Sequence, residues 1–267
     1  MLKSFLLLFG LVAVVAQAAP PADSAPPGAK TRVESSIPQG DSDPLRAKAR
    51  VESTVPQRME LGYDLYRNGQ KLGEVTDTYV QQGTQYTLTS EMRASGPLKL
   101  LWPGNIRLAS SGAVTPQGLR PAQFEHARSD APNKLATAQL DWTQRSIVYR
   151  YKGETRRVPD LKPGAQDQLS QIYQFMFVPR LPTEYALQVV SGRDLHEYRY
   201  ARQDGGTIAT PLGALATVLY QRVGQQPDEK QVAVWVAPAR GNLPVRIRVI
   251  EDGVTLEQRL ARARIPG

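Results

Sequence analysis

The chain of 267 residues contains no cysteine. Thiolate nucleophiles, cysteine-type zinc sites, iron-sulfur clusters and a lipid-modified N-terminal cysteine are thereby excluded. Histidine is nearly as scarce: His126 and His196 stand alone and far apart, with no second imidazole at metal-ligand spacing. The sequence also lacks a Gly-x-Ser-x-Gly elbow, a Ser-x-x-Lys pair and a Gly-x-Gly-x-x-Gly phosphate loop, so no familiar hydrolase or nucleotide site is seeded. Long apolar runs are missing too. The longest, Phe5 to Ala16, would span about 18 Å as a helix, short of the ~30 Å hydrocarbon core of a bilayer. Acidic charge is the minority sign, with 33 Lys and Arg against 25 Asp and Glu and a formal net charge of +8.

What is present begins with an address. Lys3, the apolar run and Ala16-Gln17-Ala18 form the charged, hydrophobic and small-x-small regions of a secretory signal peptide over residues 1–18, predicting cleavage after Ala18 and a periplasmic protein. Residues 19–57 hold seven prolines among Ser, Ala, Gly and balanced charge, which predicts a disordered tether. Within it Lys30-Thr31-Arg32-Val33-Glu34-Ser35-Ser36-Ile37-Pro38-Gln39 returns 18 residues later as Lys48-Ala49-Arg50-Val51-Glu52-Ser53-Thr54-Val55-Pro56-Gln57. Two copies are too few for a solenoid. They read as a lengthened linker or as a twice-repeated docking motif for an envelope protein.

Residues 58–267 read as one β-rich domain. Leu61, Tyr63 and Leu65 alternate with polar positions before Asn68-Gly69, a strong hairpin signal. The same period of two recurs at Tyr86/Leu88/Ser90/Met92, Ala136/Ala138/Leu140/Trp142, Ile147/Tyr149/Tyr151, Val232/Val234/Val236 and Val245/Ile247/Val249. Turn signals fall at Thr115-Pro116-Gln117-Gly118, Lys152-Gly153, Ser191-Gly192, Gly205-Gly206, Gly241-Asn242 and Asp252-Gly253. Such short connections favour antiparallel neighbours, since parallel strands need crossover helices. One amphipathic helix is predicted over 167–178, its stripe formed by Leu169, Ile172, Tyr173 and Met176. Many strands with one apolar face do not remain flat, so the expected fold is mainly β: an antiparallel, strongly bent sheet, half-barrel or barrel with the helix as plug or cap.

Several of these segments together carry a resemblance. Tyr63-Asp64-Leu65-Tyr66-Arg67-Asn68-Gly69-Gln70-Lys71-Leu72-Gly73-Glu74, Ser111-Gly112, Gly118-Leu119-Arg120-Pro121 with Phe124, Gln166-Asp167-Gln168-Leu169-Ser170, Thr210-Pro211-Leu212-Gly213, Trp235-Val236-Ala237-Pro238 and Leu243-Pro244-Val245-Arg246-Ile247 resemble, in that order over about 60–265, the exported bacterial domain-of-unknown-function family 3108. The resemblance implies an envelope protein rich in β-structure and transfers no catalytic residue. The Trp-x-x-Pro and Leu-Pro-x-Arg-Ile ending is also similar, more loosely, to periplasmic lipoprotein carriers whose bent sheet cups acyl chains.

The residues themselves point to binding rather than catalysis. Leu98-Lys99-Leu100-Leu101-Trp102 lies between Gly96-Pro97 and Pro103-Gly104, so Leu98, Leu100, Leu101 and Trp102 form either a core plug or a lid over an apolar ligand. A two-residue turn at Asp252-Gly253 sets Arg248 opposite Glu257 and Arg246 opposite Arg259 on a solvated face. Facing arginines are unfavourable unless screened, so Arg246, Arg248 and Arg259 become candidate contacts for a phosphate or carboxylate. The expected function is non-enzymatic binding of an amphipathic or anionic envelope lipid or glycan, with peripheral membrane contact and without cofactor, metal or nucleic acid. A structural or interaction protein without a pocket is the second reading. A glycan-directed hydrolase using carboxylates among Glu91, Asp167 and Asp204 is the third, although Asp167 also suits a helix cap.

Overall fold

The structure is a computed structural model and describes residues 55–95, 104–178, 180–224 and 230–266. The signal segment, the tether up to residue 54 and the Leu98–Trp102 segment lie outside the described residues. Fifteen strands form one sheet: β1 Arg58–Arg67, β2 Gln70–Gln82, β3 Gln85–Ala94, β4 Ile106–Thr115, β5 Gly118–Arg128, β6 Ala136–Asp141, β7 Ser146–Tyr151, β8 Glu154–Pro159, β9 Gln166–Asp167, β10 Glu184–Val190, β11 Leu195–Thr210, β12 Gly213–Val223, β13 Gln231–Ala237, β14 Leu243–Glu251 and β15 Val254–Arg264. The one α-helical turn among the described residues, α1 (Ser170–Tyr173), continues as a 3-10 turn over Gln174–Met176.

The order across the sheet is β8 to β1 and then β15 back to β9. Each arm is a meander, as the short turns require, and the β1/β15 pair joins the arms. Every pairing is antiparallel except the short β9/β10 contact. The edge strands β8 and β9 are not hydrogen-bonded to each other, so the sheet is strongly bent and not closed into a barrel.

The bend follows from what the helical segment touches. On a flat sheet β5 and β11 would stand nine strand steps apart, about 43 Å at the usual spacing. Yet Gln174 Oε1 accepts the Leu119 N–H of β5 at 2.7 Å, and three residues earlier Gln171 accepts the Tyr200 hydroxyl of β11 at 2.9 Å. Only a sheet curled around this segment allows both. Apolar residues at alternate positions, among them Leu61, Tyr63, Leu88, Phe124, Ile147, Tyr220, Val234 and Val245, then line the concave face around Tyr173 and Phe175 and form one continuous core.

The predicted helix over 167–178 is shorter than expected and has no wet side. Gln166 and Asp167 join the sheet as β9, and Ser170, Gln171 and Gln174 are as buried as Ile172, Tyr173, Phe175 and Met176. Its polar residues are spent on the surrounding strands rather than on water, which favours a turn shaped by its partners over a regular helix.

Two local expectations need correction. Gly205-Gly206 does not end a strand: β11 runs through it with a bulge between Asp204 and Gly206. A Cβ on Gly205 would lie 2.4 Å from Thr217 Oγ1, so the glycine lets the strands approach closely. In the first hairpin a regular two-residue turn at Asn68-Gly69 would set Leu65 opposite Leu72, but Leu65 faces Gly73 because a bulge between Leu65 and Tyr66 takes up one residue. The Asp252-Gly253 hairpin has the expected register, with Val249 opposite Leu256.

Outside the strands, Val55 is buried and the Gln57 carbonyl accepts the Gln81 N–H at 2.7 Å. Val55 and Gln57, in the second copy of the repeated segment, thus pack against the domain.

Candidate functional site

Residues facing outward from β13, β14, β15 and β1 build the candidate site. Alternation puts Trp235, Arg246, Arg248, Glu257, Arg259 and Tyr66 on the convex face, opposite the face that carries Val234, Ile247 and Tyr63. Register then places Arg246 between Trp235 and Arg259, and Glu257 between Arg248 and Tyr66.

The expected arrangement of the three arginines is present, but Glu257 behaves differently from a solvated partner. It is 5% exposed. Instead of pairing with Arg248 directly opposite, it reaches diagonally to both neighbours, accepting from Arg246 Nη2 at 2.6 Å and from Arg259 Nε. The facing arginines are thus screened by the chain's own carboxylate rather than by solvent. Burial alone would push the Glu257 carboxyl up, but the hydrogen bonds from Arg246 and Arg259 outweigh it and hold the group below the usual range. The same hydrogen bond raises the Arg259 guanidinium above its ordinary value.

Two of the three cations therefore share one anion. The remaining contacts are aromatic: Arg246 and Arg248 lie 4.8 and 5.0 Å from the Trp235 ring centre, and Arg259 lies 4.2 Å from that of Tyr66. Arg248 has no carboxylate partner among the described residues. The nearby Lys71 is already engaged by Asp64 at 2.7 Å, and Arg262 by Glu74 at 3.2 Å. Such an arrangement can present a fixed, partly desolvated positive surface to an oxyanion. Trp235 and Tyr66 were not among the predicted site residues. Their signal was available in the strand alternation, which puts each beside an arginine on the next strand.

The other acids have structural tasks. Asp167 lies inside the cup, where Oδ1 accepts the Leu169 and Ser170 N–H groups at 2.9 and 2.7 Å and Oδ2 accepts the Ser110 hydroxyl at 2.5 Å. This is the expected capping role, extended to β4. Glu91 pairs with Arg93 on the opposite face of β3, and Asp204 accepts the Gly206 N–H within the β11 bulge. His196 is exposed, while Tyr198 and Tyr200 on the same strand face are buried. No group of three or more metal-ligating side chains occurs among the described residues. Nor is any helix among them long and apolar enough to cross a membrane.

The family described as "Protein of unknown function (DUF3108)" matches residues 62–259. The chain belongs to this family. The matched region runs from β1 to β15 and includes the plug, the outer arginines and all the strands between them. No curated protein matches the sequence. Among solved structures, the chain is similar to the beta-barrel-like protein of domain of unknown function DUF1849 from Brucella abortus, with 12% identity and a TM-score of 0.51 over 80% of this chain and 99% of that one. This likeness extends to the fold alone. Lipoprotein LppX of Mycobacterium tuberculosis aligns at 7% identity and a TM-score of 0.25, covering 78% and 87% of the two chains. A DUF1329 family protein from Desulfovibrio piger aligns at 10% and 0.22, covering 80% and 87%. Scores this low carry no argument about this DUF3108 chain.

Proposed function

We propose that this DUF3108 protein is an exported, non-catalytic component of the bacterial envelope that binds the anionic group of a lipid or glycan on the convex face of its bent sheet. One observation carries the reading: Arg246 and Arg259 share a single buried carboxylate, and Arg248, beside Arg246 on the Trp235 ring, has no acidic partner among the described residues. A phosphate or carboxylate on the ligand would complete the charge balance. The signal-like first 18 residues support export, and the net charge of +8 supports attraction to anionic surfaces. The Leu98–Trp102 segment, lying outside the described residues, is retained only as a further apolar contact for an acyl chain.

Calorimetric titration with vesicles of anionic and of zwitterionic phospholipid, and with inorganic phosphate, tests this reading. Binding to the anionic vesicles that falls about tenfold in Arg248→Ala, consistent with losing one charge-assisted contact of about 1.5 to 3 kcal/mol, supports it. Equal affinity of wild type and Arg248→Ala for every anion tested overturns the site. A pair of acids acting on a glycan would instead require hydrolysis of envelope polysaccharide by wild-type protein that is lost in Asp167→Asn.

A further inference from the structure

The interior of the cup contains a second unusual arrangement, two acids that no cation faces among the described residues. Asp77 on β2 and Asp167 on β9 are both fully buried, and both hold the helical segment that fills the cup. Tyr173 of α1 donates to Asp77 Oδ2 at 2.5 Å, and its own hydroxyl lies 3.4 Å from that of Tyr63, which donates to the Pro244 carbonyl of β14 at 2.9 Å. At the other end Asp167 binds the first N–H groups of the turn and the Ser110 hydroxyl, which also contacts the Tyr86 hydroxyl at 2.8 Å. The plug thus hangs from β1, β2, β3, β4 and β14 through two carboxyl groups.

The groups facing these carboxyls are all neutral at ordinary pH. Around Asp77 they are Tyr63 of β1, Ser90 of β3 and Tyr173 of α1; around Asp167 they are Tyr86 of β3, Ser110 of β4 and Ser170 of α1. No Lys, Arg or His faces either acid among the described residues. Among the described residues, Asp77 Oδ1 lies in no hydrogen bond of normal geometry. A buried carboxylate without a counter-charge is unfavourable, whereas the protonated acid loses little by burial.

We propose that α1 is a proton-dependent plug: protonation of Asp77 and Asp167 seats it in the cup, and their ionisation loosens it while the surrounding sheet stays paired. Burial pushes both carboxyls up to about 6, against the hydrogen bonds that partly restrain them. The loosening therefore falls between mildly acidic and neutral conditions, the range over which a proton-sensing element in an exported protein would act. The device involves no contact with the arginine patch, and its failure would leave the anion-binding reading untouched.

Hydrogen exchange of the full-length protein at pH 5.0 and pH 7.5, corrected for intrinsic exchange rates, tests the proposal. Amides of residues 170–176 should lose protection by about tenfold to a hundredfold relative to those of β1 and β15, since a shift of about two pKa units is worth up to about a hundredfold. Asp77→Asn should remove part of that change, and Asp77→Asn with Asp167→Asn nearly all of it. Plug and sheet amides that lose protection in equal proportion, plug protection that does not change with pH, or a change that persists in the double variant would each overturn it. Should the double variant not fold, carboxyl-carbon NMR of the wild type decides. Midpoints near 6 for Asp77 and Asp167 support the plug, and midpoints near 4 overturn it.

Discussion

At the scale of single residues, Glu257 is the most informative side chain in the molecule. It converts a repulsive Arg246–Arg259 pair into a three-membered cluster and so competes with any external anion for the same guanidinium groups. Glu257→Gln keeps the shape and removes the charge. The folded protein should lose about 1 to 2 kcal/mol, between the cost of an exposed pair and that of a fully buried one, because both arginines keep solvent contact. Affinity for phosphate should rise severalfold, and added phosphate should restore part of the lost thermal stability. Calorimetry and thermal melts on the same variant check both halves. This arrangement was half legible in the sequence. The turn chemistry at Asp252-Gly253 fixed which residues face each other. The diagonal choice of Glu257 was not legible, because directly opposite and diagonal partners lie within reach of the same long side chains and only the packed surroundings select between them.

Among the elements, the strands and the place of the one short helix were readable, and the helix's length and burial were not. Alternation with a period of two survives because each strand has one face on the core, and a one-residue slip would turn that face to water. The 167–178 segment has a helical stripe, but Gln166, Gln171 and Gln174 at its polar positions find partners on strands remote in sequence, and no local pattern announces them. The bulges were hidden for a related reason. Gly73 and Gly112 read as ordinary strand residues, yet a Cβ on Gly73 would lie 2.2 Å from the Arg93 carbonyl oxygen, and one on Gly112 equally close to that of Arg120. Backbone atoms cannot step aside as a flexible side chain can. Gly73→Ala should therefore destabilise the protein by about 1 to 3 kcal/mol, the range of an overpacked site, and lower the thermal midpoint by several degrees. Gly69→Ala offers a contrast, since nothing lies within 4 Å of its Cβ position and its cost comes from φ of +84° alone. A Gly73→Ala variant as stable as wild type would show that β2 and β3 can separate there freely.

For the whole molecule, the acids pull stability in opposite directions with pH, and the sign of each can be worked out. Glu257 has its carboxyl held below the usual range in the folded state, so its contribution is present above the unfolded pKa and fades as acid protonates it. Asp77 and Asp167 behave oppositely. Their folded values near 6 lie above the ordinary 3.8, so between about pH 4 and pH 6 the folded protein holds protons that the unfolded chain has already released. Unfolding free energy from these two groups is fully present below pH 4 and falls as pH rises through 6. A shift of about two units corresponds to roughly 3 kcal/mol for each group as an upper figure. Urea denaturation at pH 4.5 and pH 7.0 should show Asp77→Asn losing less stability than wild type over that interval, because an amide in the same position cannot ionise. The two curves should converge toward acid, where wild-type Asp77 is itself neutral. Asp77→Asn and wild type running parallel between those pH values would mean that Asp77 is ionised throughout, and that the cup supplies a charge balance its visible neighbours do not provide.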